Sequence, residues 1–254
     1  MQTVTRRKKL GIIVYAPALV GNDRRALDSV HGLEKALPGL RLEWRLSDGG
    51  RPIALSQRDA WLVASIEDGG FPLVCNGDER YSVTVNGRGR PGLLSPGGQD
   101  QFEVHSKLPL DETVIASAGT LLEGVADGAR AYWGHASPYS YGSEVAQQFR
   151  RSTHEPECSS RGLPMISLPE KLPAPEIPWF LGWLNYWSPA AARAIGFPDP
   201  ARDAELLSRS RRTASGGWVV QLSDVPLDLD NPAHLDALKR AYVRFPEIGG
   251  RATP

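Results

Sequence analysis

The sequence predicts an α+β fold, with a mixed, largely antiparallel sheet or sheets flanked by helices. Helical and strand-like segments are interspersed without the steady β-α alternation of a doubly wound sheet. In addition, three short strand-like runs follow one another in the first half, as in an antiparallel meander. The predicted order is β-α-β-α-β-β-β-α, a linker, and then β-α-α-β-α. A chain of 254 residues is long enough to bury a sizeable core in this arrangement.

The first elements predict a β-α-β unit. The β-branched and aromatic run from Leu10 to Tyr15 is typical of a buried strand. Asn22 is placed to cap a helix, whose apolar residues recur at helical spacing until Pro38 and Gly39 end it. From Leu40 to Leu46 apolar and charged residues alternate, which predicts a strand with one solvated face.

A second helix and the meander are predicted next. Ser56 and Asp59 have the spacing of a capping box and precede an apolar helical segment. The runs Phe71 to Cys75 and Tyr81 to Val85, separated by a strong turn signal, are strand candidates, and Phe102 to His105 suggests a further strand.

The clearest predicted helix begins after Asp111, which is placed as its N-cap. Its apolar residues make one continuous face and are Val114, Ala118, Leu121, Val125, Ala129 and Tyr132. Trp133 and Gly134 are expected to close it. From Ser137 to Ile177 the composition shifts to clustered Ser, Pro, Gly and charge, which predicts a linker or a long surface excursion.

The C-terminal part predicts two strands and three helices. The aromatic run Pro178 to Trp187 has a spacing that fits either a helix or a strand, and its Gly and aromatic content favour a strand. Three helices are expected to start with a cap followed by proline, at Ser188, Asp199 and Asn231. Trp218 to Leu222 predicts the last strand. The expected organisation is an N-terminal half over residues 8–136, the linker over 137–177 and a C-terminal half over 178–250, with the two halves packed as one unit.

The charge balance argues against nucleic-acid and anionic-membrane partners. Twenty-nine basic and twenty-nine acidic residues give a formal net charge of zero. The basic groups from Arg6 to Lys9 and from Arg209 to Arg212 are interpreted as a terminal tail and the last turn of a helix. No segment approaches the ~20 apolar residues of a membrane-spanning helix. With only Cys75 and Cys158, and no recognisable leader, the expected location is the cytoplasm. The oligomeric state stays open.

Two apparent ligand motifs lack the context that their chemistry requires. Gly87, Gly89 and Gly92 match G-x-G-x-x-G, but a loop follows them instead of the helix whose amides would bind phosphate, so a flexible hairpin loop is expected. His154 and Cys158 have a spacing close to that of metal ligands, yet a closed zinc site takes four. No cofactor, metal or catalytic residue is therefore assigned.

Two regions are predicted to contact a partner instead. Tyr139 and Tyr141 lie among Ser, Pro and Gly, where loop tyrosines suit protein interfaces. Asp224 and Asp228 are not needed for helix capping, and carboxylates on a loop can pair with a basic partner surface or ligate a hard cation.

Three runs characterise the C-terminal part: Gly182 to Ser188, Ser215 to Leu222, and Pro226 to Asp228 before the last helix. Together they resemble the immunity protein 52 family of bacterial polymorphic-toxin systems, or a related bacterial family of unknown function. The strand ending in Leu42-Glu-Trp44 is compatible, and the resemblance extends over most of the chain except residues 137–177. It implies an antitoxin that binds and blocks a cognate toxin, and it carries over no catalytic residues.

Two other functions remain open at this point. An enzyme, for instance a hydrolase with dispersed active-site residues, would have a deep pocket with convergent titratable groups. A scaffold subunit would have an extensive apolar self-interface. An inhibitor would instead offer an exposed surface of mixed charge with loop aromatics.

Overall fold

The computed structural model describes residues 8–21, 23–149 and 158–251. These residues form a ten-stranded sheet and seven α-helices, which confirms the α+β class. The strands are β1 (Lys9–Pro17), β2 (Trp44–Leu46), β3 (Pro52–Ala54), β4 (Val74–Cys75), β5 (Thr84–Arg90), β6 (Gln101–Pro109), β7 (Trp133–Pro138), β8 (Leu184–Trp187), β9 (Ser210–Arg212) and β10 (Trp218–Gln221). The helices are α1 (Arg25–Ala36), α2 (Arg58–Ala64), α3 (Glu112–Ala129), α4 (Tyr141–Gln148), α5 (Pro189–Ala194), α6 (Ala204–Ser208) and α7 (Pro232–Arg244).

The sheet has the strand order β3-β2-β4-β5-β6-β1-β7-β8-β10-β9. Every pairing between neighbouring strands in the described chain is antiparallel. The predicted meander is present as β4, β5 and β6. Strand β1 lies in the middle of the sheet, between β6 and β7. Because β7 also pairs with β8, strands from before and after residues 137–177 share this sheet.

Helix α3 packs across the centre of the sheet, and α1 packs along α3. The predicted cap is present, since Asp111 Oδ1 accepts a hydrogen bond from the Val114 amide at 2.9 Å. The helices approach so closely that a Cβ on Gly32 would overlap the backbone of Gly124. Alternate residues of β1, Leu10, Ile12 and Val14, are fully buried, which leaves Gly11, Ile13 and Tyr15 for the opposite face of the sheet.

Two of the three predicted cap-proline starts are confirmed. Ser188 accepts from the Ala191 amide at 3.1 Å, and Asn231 accepts from the Ala233 amide at 3.0 Å. The start predicted at Asp199 was wrong, because α6 begins only at Ala204. Asp199 instead accepts from the amide of Ala201, two residues ahead, a local turn that competes with the helix.

Two predictions in the first half need correction at their ends. The strand expected over residues 40–46 begins only at Trp44, because the Leu42 amide donates to Glu34 Oε1 at 2.7 Å and not to a neighbouring strand. The capping box at Ser56 does not form. Helix α2 has Gln57 as its N-cap, without a side-chain hydrogen bond. Asn22, the predicted cap of α1, lies outside the described residues.

Two of the three motif glycines belong to a strand, so the hairpin loop expected over the whole motif begins only after Arg90 and includes Gly92. Gly87 and Gly89 lie within β5, which pairs with β6 as far as Arg90. A Cβ on Gly87 would overlap the rings of Phe71 and Phe102, so the missing side chain allows close packing.

The expected closure of α3 at residues 133–134 was also wrong, because the helix ends at Ala129 and these residues begin β7.

The segment 137–177 contains the end of β7 and then helix α4. The basic group from Arg209 to Arg212 divides between two elements. Arg209 follows α6 and pairs with Glu205, as the helix-end interpretation requires, whereas Arg211 and Arg212 lie in β9. The aromatic run 178–187 forms a strand only over its last four residues. In the described ranges no helix has both the length and the apolar character needed to cross a membrane.

Candidate functional site: a groove on the open face of the sheet

A groove of about 880 Å³ lies on the sheet face opposite α3. We call it the sheet groove. Its floor is formed by β5, β6, β1 and β7, and its wall by Trp179, Phe180 and the chain from Tyr139 to Phe149. None of the residues that line it belongs to α3. The volume falls within the range of ligand-binding clefts.

The floor is ordered by the strand register. Ile13 of β1 lies opposite His105 of β6 on one side and opposite His135 of β7 on the other. Asn86 of β5 is opposite His105, and Asn185 of β8 is opposite His135. Directly opposed side chains in antiparallel strands have Cβ atoms about 5 Å apart. The two histidines therefore face the same side of the sheet with one strand between them.

A charged cluster lies at one end of this floor. His105 Nε2 is 3.0 Å from Glu103 Oε2, and Arg90 Nη1 donates to Glu103 Oε1 at 3.2 Å. Burial alone would raise the pKa of Glu103, but the hydrogen bonds and charges of His105 and Arg90 outweigh it and lower the pKa. The Arg90 guanidinium also lies 4.5 Å from the centre of the Trp179 ring. Glu103 is thus held as a paired carboxylate.

His135 is the unusual group of the groove. Its residue surface is only 6 % exposed, and neither ring nitrogen has a hydrogen-bond partner among the described residues. The ring packs edge-on against Phe180 at 4.6 Å between centroids. Burial, with a smaller contribution from the charge of His105, lowers the pKa of His135 to about 3. The imidazole is therefore neutral near pH 7, with one N–H donor and one acceptor both unused.

Tyr139 and Tyr141 differ in exposure. Tyr139 is 60 % exposed at the rim, and Lys107 Nζ lies 3.6 Å from the centre of its ring. Tyr141 was expected to be exposed, but it is buried and its hydroxyl donates to the Leu181 carbonyl at 2.8 Å. As the first residue of α4, it anchors the wall of the groove.

The other predicted contact region is an exposed loop tied to this wall. The Asp224 side chain is 85 % exposed and lies 3.9 Å from Arg209. Asp228 is exposed, and its carboxylate accepts from the Asp230 amide at 3.0 Å. Arg161 donates to Glu144 of α4 at 3.2 Å and to Asp230 at 2.9 Å. The acidic loop and the groove wall are therefore linked by Arg161.

The remaining sequence motif lies only in part within the described residues. His154 lies outside the described residues, and Cys158 is exposed and unbridged. Within the described ranges no three His, Cys, Asp or Glu side chains are grouped so that they could hold a metal ion.

The sheet groove itself was missed from the sequence, because its residues come from six separate segments of the chain. One signal was present. Glu103, His105 and Lys107 alternate with Phe102, Val104 and Leu108 in β6. Such alternation predicts a polar face on an otherwise buried strand.

Comparison with known proteins places the chain in a family. A family model described as "Domain of unknown function (DUF5953)" matches residues 21–253. The chain belongs to the DUF5953 family. Most of the groove lies within the matched range, whereas β1, which forms the middle of its floor, precedes it. No curated protein matches this DUF5953 chain.

Among solved structures, the DUF5953 chain is similar to "Pseudomonas aeruginosa T6SS protein PA0821". The sequences are 16 % identical, the TM-score is 0.53, and the match covers 94 % of this chain and 73 % of that one. At this identity the likeness shows a shared fold.

Proposed function

We propose that this DUF5953 protein is an immunity protein that neutralises a cognate bacterial toxin by direct protein contact. The observation that carries the proposal is the sheet groove, about 880 Å³ in volume and open to solvent, with aromatic and basic side chains around it. Aromatic residues and arginine are enriched in the parts of protein interfaces that contribute most to affinity. Tyr139 on the rim supplies an exposed aromatic contact.

The comparisons support this function at a coarser level. The structural neighbour is described as a T6SS protein, and the C-terminal runs resemble an immunity family. The first two runs coincide with β8 and β10, and the third lies in the loop before α7. The first two belong to the framework of the sheet, so the resemblance mainly concerns the fold, and the contact surface has to be argued from the groove.

A hydrolase is the second candidate, because the Glu103–His105 pair offers an acid-base couple beside the groove. Its chemistry is poorly matched to catalysis near pH 7. Glu103 is stabilised as a carboxylate by two partners, and its lowered pKa makes it a weak base. His135, with a pKa of about 3, is also a weak base. Binding therefore explains the groove better than turnover.

The test is to co-express the protein with the product of each neighbouring gene and to score growth rescue and co-purification. A toxin should be neutralised and should form a stable complex. If no neighbouring product is toxic, or rescue occurs without a complex, the proposal is wrong. Titrating the toxin with this protein separates the two candidates. A binding inhibitor abolishes the toxin's activity at about one equivalent of protein per toxin, whereas an enzyme does so at far lower ratios of protein to toxin.

Surface variants locate the contact. Tyr139→Ala is expected to weaken the complex by about 1–2 kcal/mol, since exposed aromatic anchors often carry this much. Val243→Ala is the matched control, because Val243 is an exposed apolar residue on α7. Equal effects of the two variants on affinity would contradict a contact at the groove rim.

The acidic loop is tested in the same way. The variant Asp224→Asn with Asp228→Asn should slow association by removing two carboxylates while keeping their hydrogen-bonding shape. Asp236→Asn, at an exposed position of α7, is the control. An unchanged association rate, measured at low salt, would remove this loop from the proposed interface.

A further inference from the structure

The lining of the sheet groove carries positive charge only. Its charged side chains are Arg88 and Lys107, together with the titratable His105, and the described residues that line it include no carboxylate. Glu103 lies beside it but is already paired with Arg90 and His105. An anionic group that enters the groove therefore meets attractive charge without a competing carboxylate in the lining.

The two cations are available to a ligand. Arg88 is exposed and forms no ion pair in the described chain. Among the described residues, Lys107 has only the Tyr139 ring against its ammonium group, at 3.6 Å. Lys107 is expected to attract an anionic ligand more strongly than Arg88. Arg88 also lines a neighbouring depression with Glu67 and Asp68, whose negative charges weaken the positive potential around Arg88.

The register fixes the separation of these cations. Arg88 lies opposite Glu103, whereas Lys107 lies opposite Thr84. The two positions are therefore four residues apart along the strand direction, or about 13 Å at the rise of a β-strand. Two carboxylates four residues apart in an extended peptide have the same spacing.

His135 supplies an independent sign of a polar ligand. A buried imidazole without a partner is costly, and this one belongs to the groove lining, with both nitrogens unused. A peptide backbone offers both a C=O acceptor and an N–H donor, which complement the neutral ring. Tyr15, Trp179 and Phe180 provide apolar surface around it.

We propose that the sheet groove binds an extended acidic segment of the toxin, with one carboxylate at Lys107 and a second, about four residues away, at Arg88. The choice of a protein segment rests on the proposed function. The choice of an acidic one rests on the charge of the lining, whereas the unused hydrogen-bonding groups of His135 favour a peptide backbone.

A first experiment needs no toxin. Two labelled ten-residue peptides, identical except for Glu or Gln at positions four residues apart, are titrated with the full chain in fluorescence polarisation. The Glu peptide should bind at least about tenfold tighter, because a charge-assisted hydrogen bond is worth this much. Lys107→Gln should reduce the difference, because only the contact at Arg88 is left, and Lys107→Arg should retain it. Equal binding of both peptides by the unaltered protein would overturn the inference.

A second experiment uses the co-purified complex. A carbodiimide that joins amines to carboxylates directly should link Lys107 to an Asp or Glu of the toxin, as identified by mass spectrometry. Lys171, an exposed lysine outside the groove, is the control. A complex that forms without this link, and whose affinity Lys107→Gln leaves unchanged, would refute the inference while the immunity function stands. Selective binding of the Glu peptide without a neutralised toxin would leave the groove assignment intact and refute the function.

Discussion

Replacing His135 with phenylalanine is expected to make the protein less sensitive to acid. The imidazole lies edge-on to Phe180 with a centroid separation of 4.6 Å and has no hydrogen-bond partner among the described residues. Phenylalanine keeps a planar ring in this position and removes both unused nitrogens. No hydrogen bond within the described chain is lost, so the change isolates the titration of one buried group.

The magnitude follows from the pKa of His135, which burial and the nearby His105 lower from 6.5 to about 3 in the folded protein. Between these values the unfolded chain binds a proton that the folded chain does not. Stability is therefore complete above about pH 6.5 and falls as the pH drops towards 3. At 1.36 kcal/mol per pKa unit, the loss is about 2 kcal/mol at pH 5 and about 4 kcal/mol at pH 3.

The assay is urea unfolding of the wild type and of His135→Phe at pH 7.5, 6 and 5. Between pH 7.5 and pH 5, the unfolding free energy of the wild type should fall by about 2 kcal/mol more than that of the variant. The range stops at pH 5 because the lowered pKa of Glu103 makes that carboxylate lose its own stabilising contribution at lower pH. His31→Phe, at a partly exposed position, controls for removal of an imidazole. Parallel stability curves for the wild type and His135→Phe would refute the reasoning.

Three further predictions concern the framework and are measured by urea unfolding at pH 7.5. Asp111→Ala should cost about 1 kcal/mol through the lost cap of α3, whereas Asp111→Asn should be close to neutral. Asp203→Ala should cost about 3–5 kcal/mol, because it leaves Arg244 largely buried without its carboxylate, and a cost below 1 kcal/mol would contradict a buried pair. Gly32→Ala should cost about 1–3 kcal/mol by forcing α1 away from Gly124 of α3, whereas Gly142→Ala, where a Cβ meets nothing within 4 Å, should not.

Local chemistry made the helices predictable. The caps at Asp111, Ser188 and Asn231 lie at the predicted positions, because each side chain satisfies an amide within the next three residues. Such bonds depend on neighbouring residues alone. At Asp199 the side chain bonds the Ala201 amide in a local turn, and the capping rule therefore placed the helix start too early.

Strand β7 was not predictable in this way. The run from Trp133 to Pro138 contains Gly, His, Ala and Ser and no β-branched residue, so it lacks the usual strand signature. It is held as a strand by pairing with β1, more than a hundred residues earlier, and with β8, across the segment 137–177. Both pairings are long-range, and neither leaves a trace in the local composition. Missing β7 also hid His135, and with it the centre of the groove.

The two properties of His135 can be separated experimentally. A protein selected only for stability has no use for a buried ring that leaves two nitrogens unpaired, and functional sites are where such exceptions collect. If the ring serves the partner, His135→Phe will be more stable at pH 5 and yet will bind the toxin more weakly at pH 7.5. If it serves packing alone, stability will rise while affinity stays the same, and Lys107 and Arg88 will have to account for recognition without it.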